Sequence, residues 1–441
     1  MSPDFEEKLR KKDIGPGDRI RVSSRGKEYK GFLMPPSTGG SGTLVLKLDS
    51  GYNVGLSPDH DFEVEKVGNA DERFSEVSPV EESFEKTDRD IPQVSILLAG
   101  GTIASRVDYR TGAVKPSFDE KELLSFNPEL SGIADIEARK IMDTLSENIQ
   151  PRDWTEIAEE VKKETDKGKD GVVVAHGTDT MGYTAAALGF MLEDLSVPVV
   201  LVGSQRSSDR GSSDAHQNLV CATKAATSDI AEVMVCMHGS SSDDFCYLHP
   251  GTKVRKMHTS RRDAFRTVNG EPLAKVDWEN LEVEYIRKDY RRKDKDRETK
   301  LKDGFNEEVA LIKVYPGMDA QALDAQLQGT EGVVLEGTGL GHIPIKNDSM
   351  RRMLEEYVDD GNVVFMTSQC LYGRVNMNVY ETGVDLQNLG VVGNLNDMLP
   401  ETAYVKLGWL LGNYDKEKTK ELMLENMRGE ISQRTEHEEV R

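Results

Sequence analysis

The chain has 441 residues and a formal charge of −22, from 56 Lys and Arg against 78 Asp and Glu. With 37% hydrophobic and 30% charged residues, it reads as a globular, water-soluble chain of more than one domain. The negative balance excludes generic adhesion to nucleic acid or to an anionic membrane by the whole molecule, although a local basic patch could still touch RNA.

The opening stretch MSPDFEEKLRKK has no apolar core and is not a signal peptide. No apolar run approaches the roughly 20 residues that span a bilayer, so a cytoplasmic location without membrane contact is expected. Between residues 14 and 67, DRIRVSS, KEYKGFLMPP, TLVLKLDS and GYNVGLSP are short alternating or β-branched runs broken by Gly, Pro and Asn. That pattern predicts a small all-β barrel, SH3- or Tudor-like, within residues 1–68. It carries no catalytic constellation and is either a docking module or a passive cap. Residues 69–91 are acidic and lack periodicity, which predicts a linker.

From Ile91 the pattern changes. QVSILLAGG, GVVVAHG, VPVVLVGS and EVMVCMHG read as strands buried on both faces. TAAALGFMLEDL and AHQNLVCATKAAT have helical spacing between them. Strand–helix alternation predicts an α/β domain with a mainly parallel sheet over residues 92–285. Residues 287–302, RKDYRRKDKDRETKLK, carry nine Lys and Arg against four Asp and Glu. They are expected to form a solvated connector within 286–306, or else a surface for RNA or a partner. A shorter α/β pattern occupies 307–441, ending in a charged tail. Four cysteines, Cys221, Cys236, Cys246 and Cys370, show no CxxC spacing and are expected to be small buried residues; no metal site is indicated.

In open α/β sheets, ligands bind beyond the carboxyl ends of the strands. Two strand ends carry hydroxyls there: Gly100-Gly101-Thr102, and HGTDTM from His176 to Met181. Glycines at a turn allow close approach, and their N–H groups suit an oxyanion. Two threonines and Asp179 converging on one cleft would fit acyl transfer: a hydroxyl attacks a carbonyl while another group shuttles the proton. The alternative is that Thr178 and Asp179 simply cap a helix.

GGTIAS together with AHGTDTMGYTA, about 75 residues apart, resembles the two signatures of the bacterial-type L-asparaginase/glutaminase amidohydrolases. VGSQRSSDRGSSDAHQNL and RKMHTSRRDAFRTVNGEPL are similar to further segments of that family, and the resemblance spans roughly 92–425. It implies a two-domain asparaginase-like α/β body with Thr102 as nucleophile and Tyr109 on a mobile loop orienting it. It implies Thr178, Asp179 and Lys256 as the second threonine and its partners, with Ser146 binding the substrate α-carboxylate and Gly101 beside it. Glu147 stands where many members have Gln, which leaves amide specificity open. The resemblance also implies a dimer in which a neighbouring subunit completes the site; His342 in GTGLGH is a weak match for that contribution.

A barrel and tether ahead of such a body resemble the D-subunit family of archaeal Glu-tRNA(Gln) amidotransferases. That resemblance implies hydrolysis of L-glutamine to glutamate and ammonia. A GatE-type partner subunit would use the ammonia, with ATP and Mg2+, to convert Glu-tRNA(Gln) to Gln-tRNA(Gln). It further implies a homodimer of this chain within a heterotetramer, contact with tRNA(Gln) through the complex, and no cofactor in this chain. A stand-alone L-asparaginase with an accessory domain is the other enzymatic reading. A silent scaffold is the third, opposed by the full set Thr102, Tyr109, Thr178, Asp179 and Lys256.

Overall fold

The structure is a computed structural model that describes residues 9–15, 17–24, 27–33, 44–48, 53–56, 62–68, 91–100, 105–107, 114–116, 127, 129–206 and 213–434. The expected linker, apart from Ile91, lies outside these residues. Near the N-terminus, strands β1 (Arg19–Ser24), β2 (Lys27–Leu33), β3 (Leu44–Leu48), β4 (Asn53–Leu56) and β5 (Phe62–Gly68) form an all-antiparallel sheet in the order β4-β3-β2-β1-β5. Alternation explains its core: Ile20 and Val22 are buried, while Arg21 between them reaches Glu28 and Glu65 on the outer face. Leu33, Leu44, Leu46 and Val64 complete that core, closed at one end by Leu9 and Ile14.

The body starts at β6 (Gln93–Leu98), followed by a hairpin of β7 (Ser105–Val107) and β8 (Val114–Pro116). Then come β9 (Asp135–Lys140), β10 (Gly171–Ala175), β11 (Leu192–Glu193), β12 (Val199–Val202) and β13 (Val233–His238). Helices α1 (Pro151–Asp166), α2 (Met181–Met191) and α3 (Ala215–Ala226) alternate with them. Five strands pair in parallel, in the order β9-β6-β10-β12-β13. Three antiparallel strands extend the sheet to eight: β14 (Phe245–Pro250), β17 (Ala274–Asp277) and β18 (Val283–Tyr285). Between them a hairpin of β15 (Val254–Lys256) and β16 (Phe265–Thr267) stands off the sheet.

The uninterrupted Val/Leu runs follow from burial on both faces. Val172, Val174, Val199 and Leu201 pack with α1 and α2, whereas Val173, Ala175, Val200 and Val202 pack with α3. Helix α1 starts where expected from local chemistry: Pro151 opens it, and Gln150 and Asp153 exchange hydrogen bonds in a capping box.

The connector's cations are exposed or partly exposed and also paired: Lys293 and Lys295 both reach Asp170, Arg292 reaches Asp229, and Lys300 reaches Asp194. The short strand β19 (Lys300–Leu301) also pairs with β11. The basic run thus neutralises carboxylates of the body and lies along it. The cysteine expectation holds for Cys221, Cys236 and Cys246, but Cys370 is exposed, in the loop after a strand end where burial is incomplete.

The C-terminal domain has a three-stranded parallel sheet of β20 (Val309–Lys313), β21 (Gly332–Gly337) and β22 (Val363–Ser368). Helices α4 (Ala320–Leu327), α5 (Asp348–Asp359) and α6 (Glu381–Asn388) follow its strands. Helix α7 (Pro400–Asn413) lies between the two sheets, and Trp409 stacks on Phe190 of α2 at 5.6 Å. One continuous apolar cluster therefore holds α2, α7 and the C-terminal sheet together.

After α8 (Lys416–Met423) the tail is pinned by a fully enclosed ion pair, Lys406 Nζ to Glu430 Oε1 at 2.6 Å. Lys406 also donates to the carbonyl of Glu425, and Glu430 accepts the backbone N–H groups of Met427 and Arg428. Removing one partner of such a pair strands the other charge without water, at a cost of about 3–5 kcal/mol. Lys406→Ala is expected to lower the unfolding free energy from denaturant titration by that much, and the double variant Lys406→Met/Glu430→Gln by distinctly less; equal losses would contradict a stranded charge.

Candidate active site

Three parallel strands end side by side. Ala99 follows β6 and donates its N–H to Ala175 of β10 at 2.9 Å, and His176 donates to Val202 of β12 at 2.8 Å. Gly100 then turns with φ +105, and a Cβ there would lie 2.3 Å from the Thr144 carbonyl oxygen. Only glycine permits both the left-handed turn and this approach. The chain after β6 is thereby laid against the loop that leads into a short turn at Ser146–Asn148.

Ser146 is 5% exposed, and its side chain lies against Gly177, where an added Cβ would fall 2.7 Å from Oγ. Thr180 Oγ1 donates to the Ser146 carbonyl at 2.7 Å. The segments around 100, 146 and 177 are therefore in direct contact. Glu147 next to it is exposed. Gly101, Thr102 and Tyr109 lie outside the described residues.

Lys256 closes the cluster from the end of β15. Its Nζ donates to Thr178 Oγ1 at 2.9 Å and to Asp179 Oδ1 at 2.7 Å. Thr178 is buried and the lysine side chain nearly so, while the Asp179 side chain is 66% exposed. The helix-cap alternative does not describe these residues. The N-cap of α2 is Thr180, without a side-chain cap bond, and Thr178 and Asp179 are spent on Lys256.

The sequence reading missed two features that hold the turn. His176 is fully buried; its Nδ1–H donates to the Gly177 carbonyl at 2.7 Å, and Nε2 accepts from Thr184 Oγ1 at 2.9 Å. A Cβ on Gly203 would lie 2.9 Å from Thr178 Cγ2 and 2.6 Å from the His176 carbonyl oxygen, so glycine there makes room for Thr178. The signals were present, a histidine opening HGTDT and a glycine closing VPVVLVG, but neither type at a strand end announces such a role. His342, the weak match for a neighbouring subunit's contribution, packs its ring on Tyr380 at 5.4 Å.

Chemically, the site offers a lysine between a hydroxyl and a largely exposed carboxylate, and a glycine turn beside them. Among the described residues, no group of three or more His, Cys, Asp or Glu is placed to hold a metal, and no helix is long and apolar enough to cross a membrane.

Three family models match in succession: "GatD N-terminal domain" over residues 14–67, "Asparaginase, N-terminal" over 93–290, and "Glutaminase/Asparaginase C-terminal domain" over 308–423. The chain is 49% identical over 444 residues to the D subunit of the glutamyl-tRNA(Gln) amidotransferase of Pyrococcus furiosus, covering 97% of each. It is 50% identical to the protein of that name from Methanopyrus kandleri, covering 96% of this chain and 93% of the relative. Among solved structures, the thermostable L-asparaginase from Thermococcus kodakarensis is similar at TM-score 0.69 and 33% identity, over 77% of this chain and 99% of that one. L-asparaginase I from Vibrio cholerae matches at 0.65 and 29%, over 78% and 99%.

Burial pushes the His176 imidazole down from its ordinary 6.5 to about 4. Between those values the unfolded chain binds a proton that the folded chain refuses, so stability is retained above pH 6.5 and lost as pH falls toward 4. His176 contributes up to about 3 kcal/mol to that loss, and buried His249, pushed down to about 3, adds in the same direction. Denaturant midpoints measured from pH 7 to pH 4 should fall accordingly, and His176→Asn should flatten the slope; an unchanged slope would sink the assignment.

Proposed function

The chain belongs to the D-subunit family of glutamyl-tRNA(Gln) amidotransferases, with an asparaginase-like body, and we propose that it is the glutaminase of such an amidotransferase. It hydrolyses L-glutamine to glutamate and ammonia through a threonine acyl-enzyme. A GatE-type partner subunit uses that ammonia with ATP and Mg2+ to turn Glu-tRNA(Gln) into Gln-tRNA(Gln). The assembly is a heterotetramer built on a homodimer of this chain.

The observation that carries this reading is Lys256 held between Thr178 and Asp179 beside the Gly100 turn. Thr102 Oγ attacks the side-chain carbonyl carbon, and the oxygen that gains charge is received by N–H groups of the turn, Gly101 among them. The Lys256–Thr178 pair is the proton relay: a proton goes to the leaving nitrogen as the C–N bond breaks, and the relay is refilled from the attacking hydroxyl. Water then cleaves the ester and releases glutamate. Asp179, whose side chain is largely exposed, receives the substrate ammonium; Ser146 receives its α-carboxylate, with Glu147 beside it; Tyr109 orients Thr102. The two α/β domains carry this chemistry, while the N-terminal module serves docking.

A stand-alone L-asparaginase is the second reading, favoured by the solved L-asparaginases that align with 77–78% of the chain. The match over 97% of the amidotransferase relative, N-terminal module included, favours the first. Rates of ammonia release decide: glutamine well above asparagine, and rising with partner and charged tRNA, supports the glutaminase role. High asparagine turnover by the isolated chain overturns it. Thr102→Ala should abolish ammonia release with the fold intact. Lys256→Ala should slow it by about 10²–10⁴, the usual worth of a placed proton-transfer group; a fall under tenfold would make the lysine structural.

A further inference from the structure

We propose that Asn269 and Glu401 are positioning residues through which the C-terminal domain sets Lys256 against Thr178. The inference rests on the role given to Lys256 above. Contacts alternate along β15 and the residue before it, as a period of two requires. Val254 is buried in the shared core with Ala264 and Phe265, and Lys256, two residues on, reaches Thr178. Lys253 and Arg255, the alternate positions, reach the C-terminal domain. Lys253 pairs with Asp397 at 3.1 Å, both nearly fully buried, and Arg255 pairs with Glu401 of α7 at 3.2 Å.

The return strand is fastened to the same side. Asn269 follows β16 with φ +54, a left-handed conformation that costs a non-glycine residue about 1 kcal/mol. It is kept there by its side chain. Nδ2 donates to the carbonyls of Asp397 at 2.9 Å and Leu371 at 3.2 Å, and Oδ1 accepts the Gly373 N–H at 2.9 Å. Ser432 near the chain end donates its hydroxyl to the Asn269 carbonyl and its N–H to Asp397 Oδ1. The Lys256 hairpin is thus clamped at its base by a domain that gives no hydrogen bond to Thr178, Asp179 or Lys256 among the described residues. A rotation of β15 relative to α7 displaces the lysine, and an error of about 1 Å in a reacting group costs on the order of 10²-fold in rate.

Two variants separate positioning from stability. Asn269→Gly keeps the backbone conformation and removes only the side-chain clamp; Glu401→Gln keeps the shape and removes the charge. Each is made with and without Lys256→Ala in the full chain assembled with its partner subunit. Ammonia release from L-glutamine and from L-asparagine is measured, with denaturant midpoints. The expected result is a kcat about 10- to 100-fold lower per folded molecule in each single variant, with KM within about twofold. In the Lys256→Ala background neither change lowers the residual rate further. Stability loss with kcat unchanged overturns the proposal, as do losses that multiply with Lys256→Ala. If that background has no measurable rate, the kcat-against-KM split decides. Wild-type turnover by Lys256→Ala would instead remove the proposed function itself.

Discussion

The contact of Lys256 with Thr178 and Asp179 joins residues 78 and 77 positions apart. It contributes little to stability, because Asp179 is mostly exposed and such pairs are typically worth under about 1 kcal/mol. The fold therefore places the pair, and the pair does not hold the fold. Three things do the placing: the side-by-side ends of β6, β10 and β12; glycines at 100, 177 and 203 where any Cβ would collide; and a hairpin rooted by Val254 and Phe265 in the core. Each is a matter of packing, which is stiff, and the ion pairs of Lys253 with Asp397 and Arg255 with Glu401 add a second hold on the far side of the hairpin.

Much of this was legible in the residues. Continuous apolar runs alternating with helical patterns gave away a parallel sheet, and Gly100 and the HGTDT segment stand where strands end. What could not be read were contacts made across the sequence. Nothing near His176 indicates that Thr184, on the following helix, holds its ring. Gly203 looks like an ordinary strand-ending glycine until Thr178 is placed against it. The run 287–302 hid its partners for the same reason: the carboxylates that its cations reach, Asp170, Asp194 and Asp229, come from elsewhere in the chain.

The division between domains is also a division of labour. The larger domain supplies Thr178 and Asp179, which meet Lys256. The smaller one grips the opposite side of β15 through Asp397 and Glu401. Because α7 is packed into the common core by Trp409 and Phe190, that grip is referenced to the same rigid body as Thr178. The acidic surplus of the sequence falls outside this arrangement; the carboxylates nearest the lysine hairpin are committed to named partners.

The clamp on Asp397 and Asn269 is completed by Ser432, and the tail that carries it is tied down at Glu430. Residues 163 positions apart in the chain thus meet in one knot, so a change in the tail is transmitted to the root of the lysine hairpin without touching any residue of the hairpin itself.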